Sequence, residues 1–153
     1  MQEEKTLRRA VSTVLLAIFA VSVLASACSS TQAANADMKK LALAPVSALP
    51  KEMQMAPERV RTAYQFAVAN PDALKNVPCY CGCGAIGHTS NLSCYVKEMK
   101  DGKVVAFDDH ALGCSLCVDI SQEVMRMSGE GKQPADIRAQ IVADFSKFGP
   151  ANQ

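Results

Sequence analysis

Six cysteines and both histidines of the chain fall within one short stretch: Cys79, Cys81, Cys83, His88, Cys94, His110, Cys114 and Cys117. Thiolates select soft or borderline ions, Cu(I) and Zn(II) among them, and a neutral imidazole can complete a zinc tetrahedron. Cys79, Cys81 and Cys83 stand at alternate positions, and Gly82 and Gly84 let the backbone curl them around a common centre. Cys114 and Cys117 are three apart at an expected helix start, so both point to one side. The positive end of that helix lowers a thiol pKa and favours the thiolate. Cys79, Cys81, Cys83, Cys114 and Cys117 are the first candidates as metal ligands, with Cys94, His88 and His110 next. Six thiolates exceed what one tetrahedral zinc takes, so either more than one ion binds or some cysteines are structural.

Two other chemistries use the same residues. Six cysteines could form three disulfides, as in many exported small domains. A bridge across one intervening residue is strained, so each thiol of the triplet would need its own partner among Cys94, Cys114 and Cys117. The protein would then be a disulfide-stapled interaction module. Alternatively, Cys114-x-x-Cys117 is a thiol–disulfide exchange pair, although no thioredoxin-like βαβ pattern surrounds it. The histidines have simpler roles available: His88 could cap a turn, and His110 could pair with a neighbouring carboxylate. Asp109 could orient His110 as a hydrogen-bond acceptor. Tyr80 and Tyr95 read as packing residues. No Ser-His-Asp order, phosphate loop or HExxH is present, so a binding protein is expected in preference to an enzyme.

The elements that must position these groups are mostly helical. Pro57 suits a first helical position, Glu58 suits the positive helix end, and Val60, Tyr64, Ala67 and Val68 share a face. Asn70-Pro71 stops that helix, and Asp72 to Asn76 could make one more turn before Val77-Pro78. The Cys/Gly segment, residues 79 to 87, cannot be a regular helix. Tyr95–Met99 and Lys103–Phe107 form a hairpin pattern around Lys100-Asp101-Gly102. Helical period returns near Gly113, with Cys117, Ile120, Val124 and Met127 on one stripe that ends near Gly129 and Gly131. Pro134 opens a last helix with Ile137, Ile141, Phe145 and Phe148 facing inward. The expected fold is mainly α: a small Cys-rich helical domain over 57–150, with a Cys/Gly loop and one short β-hairpin. A core of that size is marginal, so a staple or a metal would help it fold.

The chain has 153 residues and a formal charge of +1. Lys5, Arg8 and Arg9 against Glu3 and Glu4 account for that charge, so the remainder is near neutral and offers no footprint for nucleic acid. These charges precede an apolar run from Val11 to Ala25, followed by Ser26, Ala27 and Cys28, the pattern of a secretory signal. The run is short for a membrane-spanning anchor. The exit LASAC resembles a bacterial lipobox, with Ala25 where leucine is usual and Leu24 one place further out. The resemblance implies removal of 1–27, lipidation of Cys28, and an extracytoplasmic protein anchored to a bacterial membrane. Ordinary cleavage after Ala25-Ser26-Ala27 is the alternative. Residues 28–56 are rich in Ala, Ser, Gln and Lys without a sustained period, and read as a flexible tether in which Met38, Met53 and Met55 are linker residues.

Pro78-Cys79-Tyr80-Cys81-Gly82-Cys83-Gly84, followed by Gly87-His88, Cys94-Tyr95, Asp109-His110-Ala111 and Cys114-x-x-Cys117, resembles the PCYCGC-motif proteins. The resemblance covers roughly Pro57 to Phe148. It implies an exported lipoprotein or secreted protein with a Cys-rich domain, and its motif invites metal binding. It brings no biochemical activity of its own. The expected partners are therefore the membrane, a metal ion, and an exported metal- or redox-handling protein.

Overall fold

A stripe of side chains along one helix organises the domain. The computed structural model describes residues 41–152. Residues 1–40 and residue 153 lie outside the described residues, and with them the expectations placed on the signal segment, Cys28 and Met38. Helix α5, Ser115–Gly129, buries Cys117, Ile120, Val124 and Met127, the stripe expected from the helical period. Against α5 pack α2, Glu58–Ala69, and α6, Pro134–Phe145. Short helices α1, Lys51–Gln54, α3, Pro71–Leu74, and α4, His110–Gly113, complete a mainly helical domain. Its one sheet among the described residues is the antiparallel pair β1, Val96–Lys100, and β2, Lys103–Phe107.

Local chemistry accounts for the boundaries. Pro57 stands just ahead of α2 as its N-cap, one place before the position expected for it. The chain leaves α2 at Asn70, whose side-chain amide donates to the carbonyls of Phe66 and Ala42, and Pro71 opens α3. In the hairpin, Asp101 and Gly102 take φ of 50° and 73°. Two successive positive φ angles match the right-handed twist of the strands, which is why Asp-Gly is favoured there. Gly131, at φ 76°, follows the end of α5 and frees the chain to turn toward Pro134.

The core is a layer of aromatic and aliphatic side chains between α2, α5 and the hairpin. Tyr64 and Tyr95, both fully buried, meet edge to face with ring centroids 4.9 Å apart. Phe66, Leu74, Ile120 and Ile141 close around them. Two details depart from the expected pattern. Phe148 is 56 % exposed: the chain leaves α6 for a 3₁₀ turn at Ser146–Phe148, and the ring rests on Phe145 instead of the core.

The second departure concerns the tether. Residues 41–56 belong to the folded domain. Gln65 and Ala44 exchange hydrogen bonds, Ala44 N–H to the Gln65 carbonyl at 3.0 Å and Gln65 Nε2–H to the Ala44 carbonyl at 2.6 Å. Leu49 and Met53 are buried in the main core, Met53 at 1 % exposure, while Met55 is 79 % exposed. The lack of a sustained period in this stretch hid two buried anchors whose spacing spans only one turn. Met53→Ala is expected to destabilise the domain by about 2–4 kcal/mol, and Met55→Ala by well under about 0.5 kcal/mol. Denaturant unfolding of the two variants checks this; equal small effects would return residues 41–56 to the status of a linker.

Candidate metal centre

The triplet loop is shaped by two left-handed glycines. Gly82 has φ 81° and Gly87 φ 89°, bracketing a 3₁₀ turn at Cys83–Ile86. The chain entering the loop is pinned where Asn91 N–H donates to the Val77 carbonyl at 2.7 Å. Its other wall is Asn152, far along the chain. Asn152 N–H donates to the Cys79 carbonyl at 3.0 Å, and its Oδ1 accepts from Cys79 N–H at 2.8 Å. Its Nδ2 donates to the Ser90 carbonyl at 3.3 Å and to Cys83 Sγ at 3.4 Å. The passage of Gly149 over the loop is close: a Cβ there would lie 3.1 Å from the Tyr80 carbonyl oxygen.

Onto this loop converge Cys94, from the turn Leu92–Cys94 ahead of β1, and Cys114 and Cys117, from the start of α5. Cys117 Sγ lies 3.4 Å from Cys79 Sγ, 3.5 Å from Cys81 Sγ and 3.3 Å from Cys94 Sγ. Cys79 and Cys81 are 3.5 Å apart, and Cys83 is 3.8 Å from Cys94. All six are free thiols, and these separations are well beyond the roughly 2.05 Å of a disulfide. They fall near the edge of about 3.8 Å that a tetrahedron with 2.3 Å zinc–sulfur bonds requires.

Three overlapping ligand sets have all their donor atoms within 4.8 Å of one another. The first is Cys79, Cys81, Cys94 and Cys117; the second is Cys81, His110, Cys114 and Cys117; the third is Cys81, Cys83, Cys94 and His110. The cluster could therefore hold a metal ion. Seven of the eight residues singled out in the sequence take part, and His88 does not. His88 is buried one layer out, edge-on to the His110 ring at 5.2 Å between centroids. Its Nε2 faces Asp108 Oδ2 at 3.3 Å, and its buried Nδ1 has no hydrogen-bond partner. Asp108, not Asp109, meets His110, and it does so at the backbone: Asp108 Oδ1 accepts from the His110 backbone N–H at 3.0 Å. It does so because the Asp108 backbone is locked between Tyr95 and Tyr64, its N–H donating to the Tyr95 carbonyl and its carbonyl accepting from the Tyr64 hydroxyl at 2.9 Å.

The cluster is held from behind by a polar group that sequence reasoning missed. Asn91 Nδ2 donates to the Cys117 carbonyl at 3.1 Å, and the Tyr95 hydroxyl donates to the same oxygen at 2.9 Å. The Ser121 hydroxyl lies 2.6 Å from Asn91 Oδ1 and 2.8 Å from the Tyr95 hydroxyl. All three side chains are buried, so each bond is made in a low-dielectric interior where its loss would leave an unsatisfied group. Tyr95 is thus more than packing. Asn91, Ser121 and Asn152 carry no chemical signature at sequence level, since their role comes from which backbone groups they meet.

Electrostatically the thiols act as one unit. Hydrogen bonds from Cys117 and Cys94 hold the Cys79 thiol well below its ordinary value. Cys117 is pushed up, first by its hydrogen bonds to Cys79 and Cys94 and then by burial. For Cys94 the contact with Cys117 lowers the pKa, but the hydrogen bond to Cys79 and burial outweigh it and the net shift is upward. Burial raises Cys81 and Cys83, and the charge on Cys79 adds to both shifts. One negative charge is therefore stabilised and its neighbours are kept protonated.

A small helical domain folded around six convergent thiols is a Cys-rich domain built on a potential metal centre. The chain belongs to the PCYCGC family: the family model, described as a protein of unknown function with PCYCGC motif, matches residues 14–151. No curated protein matches the chain, and no solved structure matches it.

The charge pattern has a measurable consequence. In the set Cys79, Cys81, Cys94 and Cys117, the last three thiols are held protonated, so a bound ion must displace protons from them. Because their pKa values are raised, protons compete better than at a free thiol. Affinity is expected to rise with pH through the neutral range and to fall on acidification, with about three protons released per ion near pH 7. Calorimetric titration in buffers of different ionisation enthalpy counts them; a proton count near zero would contradict the assignment.

Proposed function

We propose that this chain is an exported, lipid-anchored protein that binds a soft or borderline metal ion, Cu(I) or Zn(II), for handling or delivery outside the cytoplasm. The observation that carries the reading is the set Cys79, Cys81, Cys94 and Cys117, four sulfurs within 4.8 Å of one another and drawn from three separate segments. Three of these residues are fully buried, which shields thiols that would otherwise oxidise in an extracytoplasmic compartment. Sulfur donors suit both ions, and four of them satisfy the closed tetrahedron of a non-catalytic zinc site. The protein acts by binding and not by catalysis. Among the described residues no thioredoxin-like βαβ unit surrounds Cys114 and Cys117, the fold being helical with one antiparallel hairpin. The anchor rests on the basic start, the apolar run from Val11 to Ala25 and the small-residue exit at Cys28.

Native purification of the full chain followed by metal analysis and thiol alkylation tests the binding. Stoichiometric metal is expected, with the cluster thiols protected until a chelator is added. Mass loss of six protons without metal would instead establish three disulfides and sink the proposal. The anchor is tested separately by labelling cells with radioactive palmitate. Label is expected on the wild-type chain and absent from Cys28→Ser, whose processed form should be released from the membrane fraction. Equal release of both chains would replace lipidation with ordinary secretion.

A further inference from the structure

Each pair of the three ligand sets shares two residues, and one pair shares two thiols in direct contact. Cys79, Cys81, Cys94 and Cys117 form one set, Cys81, His110, Cys114 and Cys117 the other, and Cys81 and Cys117 are common to both. The shared sulfurs are 3.5 Å apart, and Cys81 Sγ is also 3.5 Å from His110 Nε2. A thiolate sulfur keeps further lone pairs after binding one ion, so it can bridge two. A neutral imidazole nitrogen has a single lone pair and cannot. The second and third sets share His110 and are excluded on that ground; the first and third share Cys81 and Cys94, but their added thiol Cys83 is buried and accepts from Asn152 Nδ2, whereas Cys114 stands half-buried at the rim.

From this geometry we infer that the cluster takes two divalent ions, bridged by Cys81 and Cys117. The inner ion is completed by Cys79 and Cys94, and the outer ion by His110 and Cys114. This rests on the metal-binding reading above and adds stoichiometry, the bridge and a difference between the two ions.

Charge supports the pairing. Four thiolates on a single divalent ion leave a net charge of minus two among residues that are almost wholly buried. Uncompensated charge in such an interior is costly. A second divalent ion shares two of those thiolates and adds only one more, from Cys114, since His110 binds as neutral imidazole. The net charge then drops to minus one. Position supports it as well. Cys79, Cys94 and Cys117 have no exposed surface, whereas His110 and Cys114 are half-buried at the rim. His110 is held ready by Asp108 at its backbone N–H and by the edge of His88 against its ring. The inner ion is enclosed, and the outer ion is the one accessible to exchange.

Titration of the reduced full chain with zinc, followed by native mass spectrometry, is expected to saturate at two ions. With ¹¹³Cd in place of zinc, two resonances split by mutual coupling through the shared sulfurs are expected. EDTA should remove one ion at least about tenfold faster than the other. His110→Ala and Cys114→Ser should each fall from two ions to one, while Cys83→Ser keeps two. Circular dichroism and the retained inner ion report that each variant is folded. Saturation at one zinc would overturn the inference and leave the metal-binding reading standing. Two uncoupled cadmium resonances, or loss of the second ion in Cys83→Ser with its retention in Cys114→Ser, would overturn the bridged assignment. No zinc bound would overturn it too, and failure of Cu(I) to bind as well would remove the reading on which it rests.

Discussion

The position of Cys117 is the constraint on which the rest of the domain depends. Its sulfur contacts those of Cys79, Cys81 and Cys94, and its carbonyl accepts from both Asn91 and Tyr95. Its Cα belongs to the helix whose stripe organises the core. The hydrophobic layer, the buried polar group and the thiol cluster therefore meet in a single residue. A shift of the first turn of α5 would disturb all three, and this gives a small domain one well-defined arrangement where several loose ones would otherwise compete.

That arrangement has a cost that metal chemistry answers. Packing polarizable thiols against one another is mild while they are protonated, because a neutral cysteine behaves as a small hydrophobe. Ionising more than one of them is not mild: Cys81, Cys94 and Cys117 are shifted upward beside a Cys79 thiol shifted down. A cation at the centre inverts the balance, since each further thiolate is then attracted instead of repelled. The same crowding that disfavours charge without an ion becomes preorganisation once an ion is there.

Much of this was legible in the sequence, and the reasons are specific. The stripe Cys117, Ile120, Val124 and Met127 has the helical period, so it announced α5 and its buried face. Asp101-Gly102 announced the hairpin through its turn chemistry. Cysteine and histidine types marked the site, because few residues bind metal. What stayed hidden were contacts made by ordinary residues at long range. Met53 and Leu49 lie in a stretch with two prolines and no sustained period, and Asn152 meets Cys79 across 73 positions of chain. Asp108 and Asp109 were indistinguishable as acceptors until the Tyr64 and Tyr95 hydrogen bonds fixed which carboxylate accepts from the His110 backbone N–H.

The hidden contacts explain how so short a motif can be rigid. Cys79, Cys81 and Cys83 sit on a loop whose glycines give it freedom to curl and, by the same property, freedom to open. Within the loop, Ala85 N–H to the Gly82 carbonyl and Gly87 N–H to the Gly84 carbonyl close single turns, which shape the 3₁₀ segment but do not tie the loop to the rest of the domain. Asn91 pins its entry at Val77, and Asn152 pairs with Cys79 and donates to the sulfur of Cys83. Segments before and after the motif thus hold the loop in the curled form, which is the form a thiolate site needs before an ion arrives. The spacing of the cysteines specifies which sulfurs can meet, and these two asparagines hold them where they do.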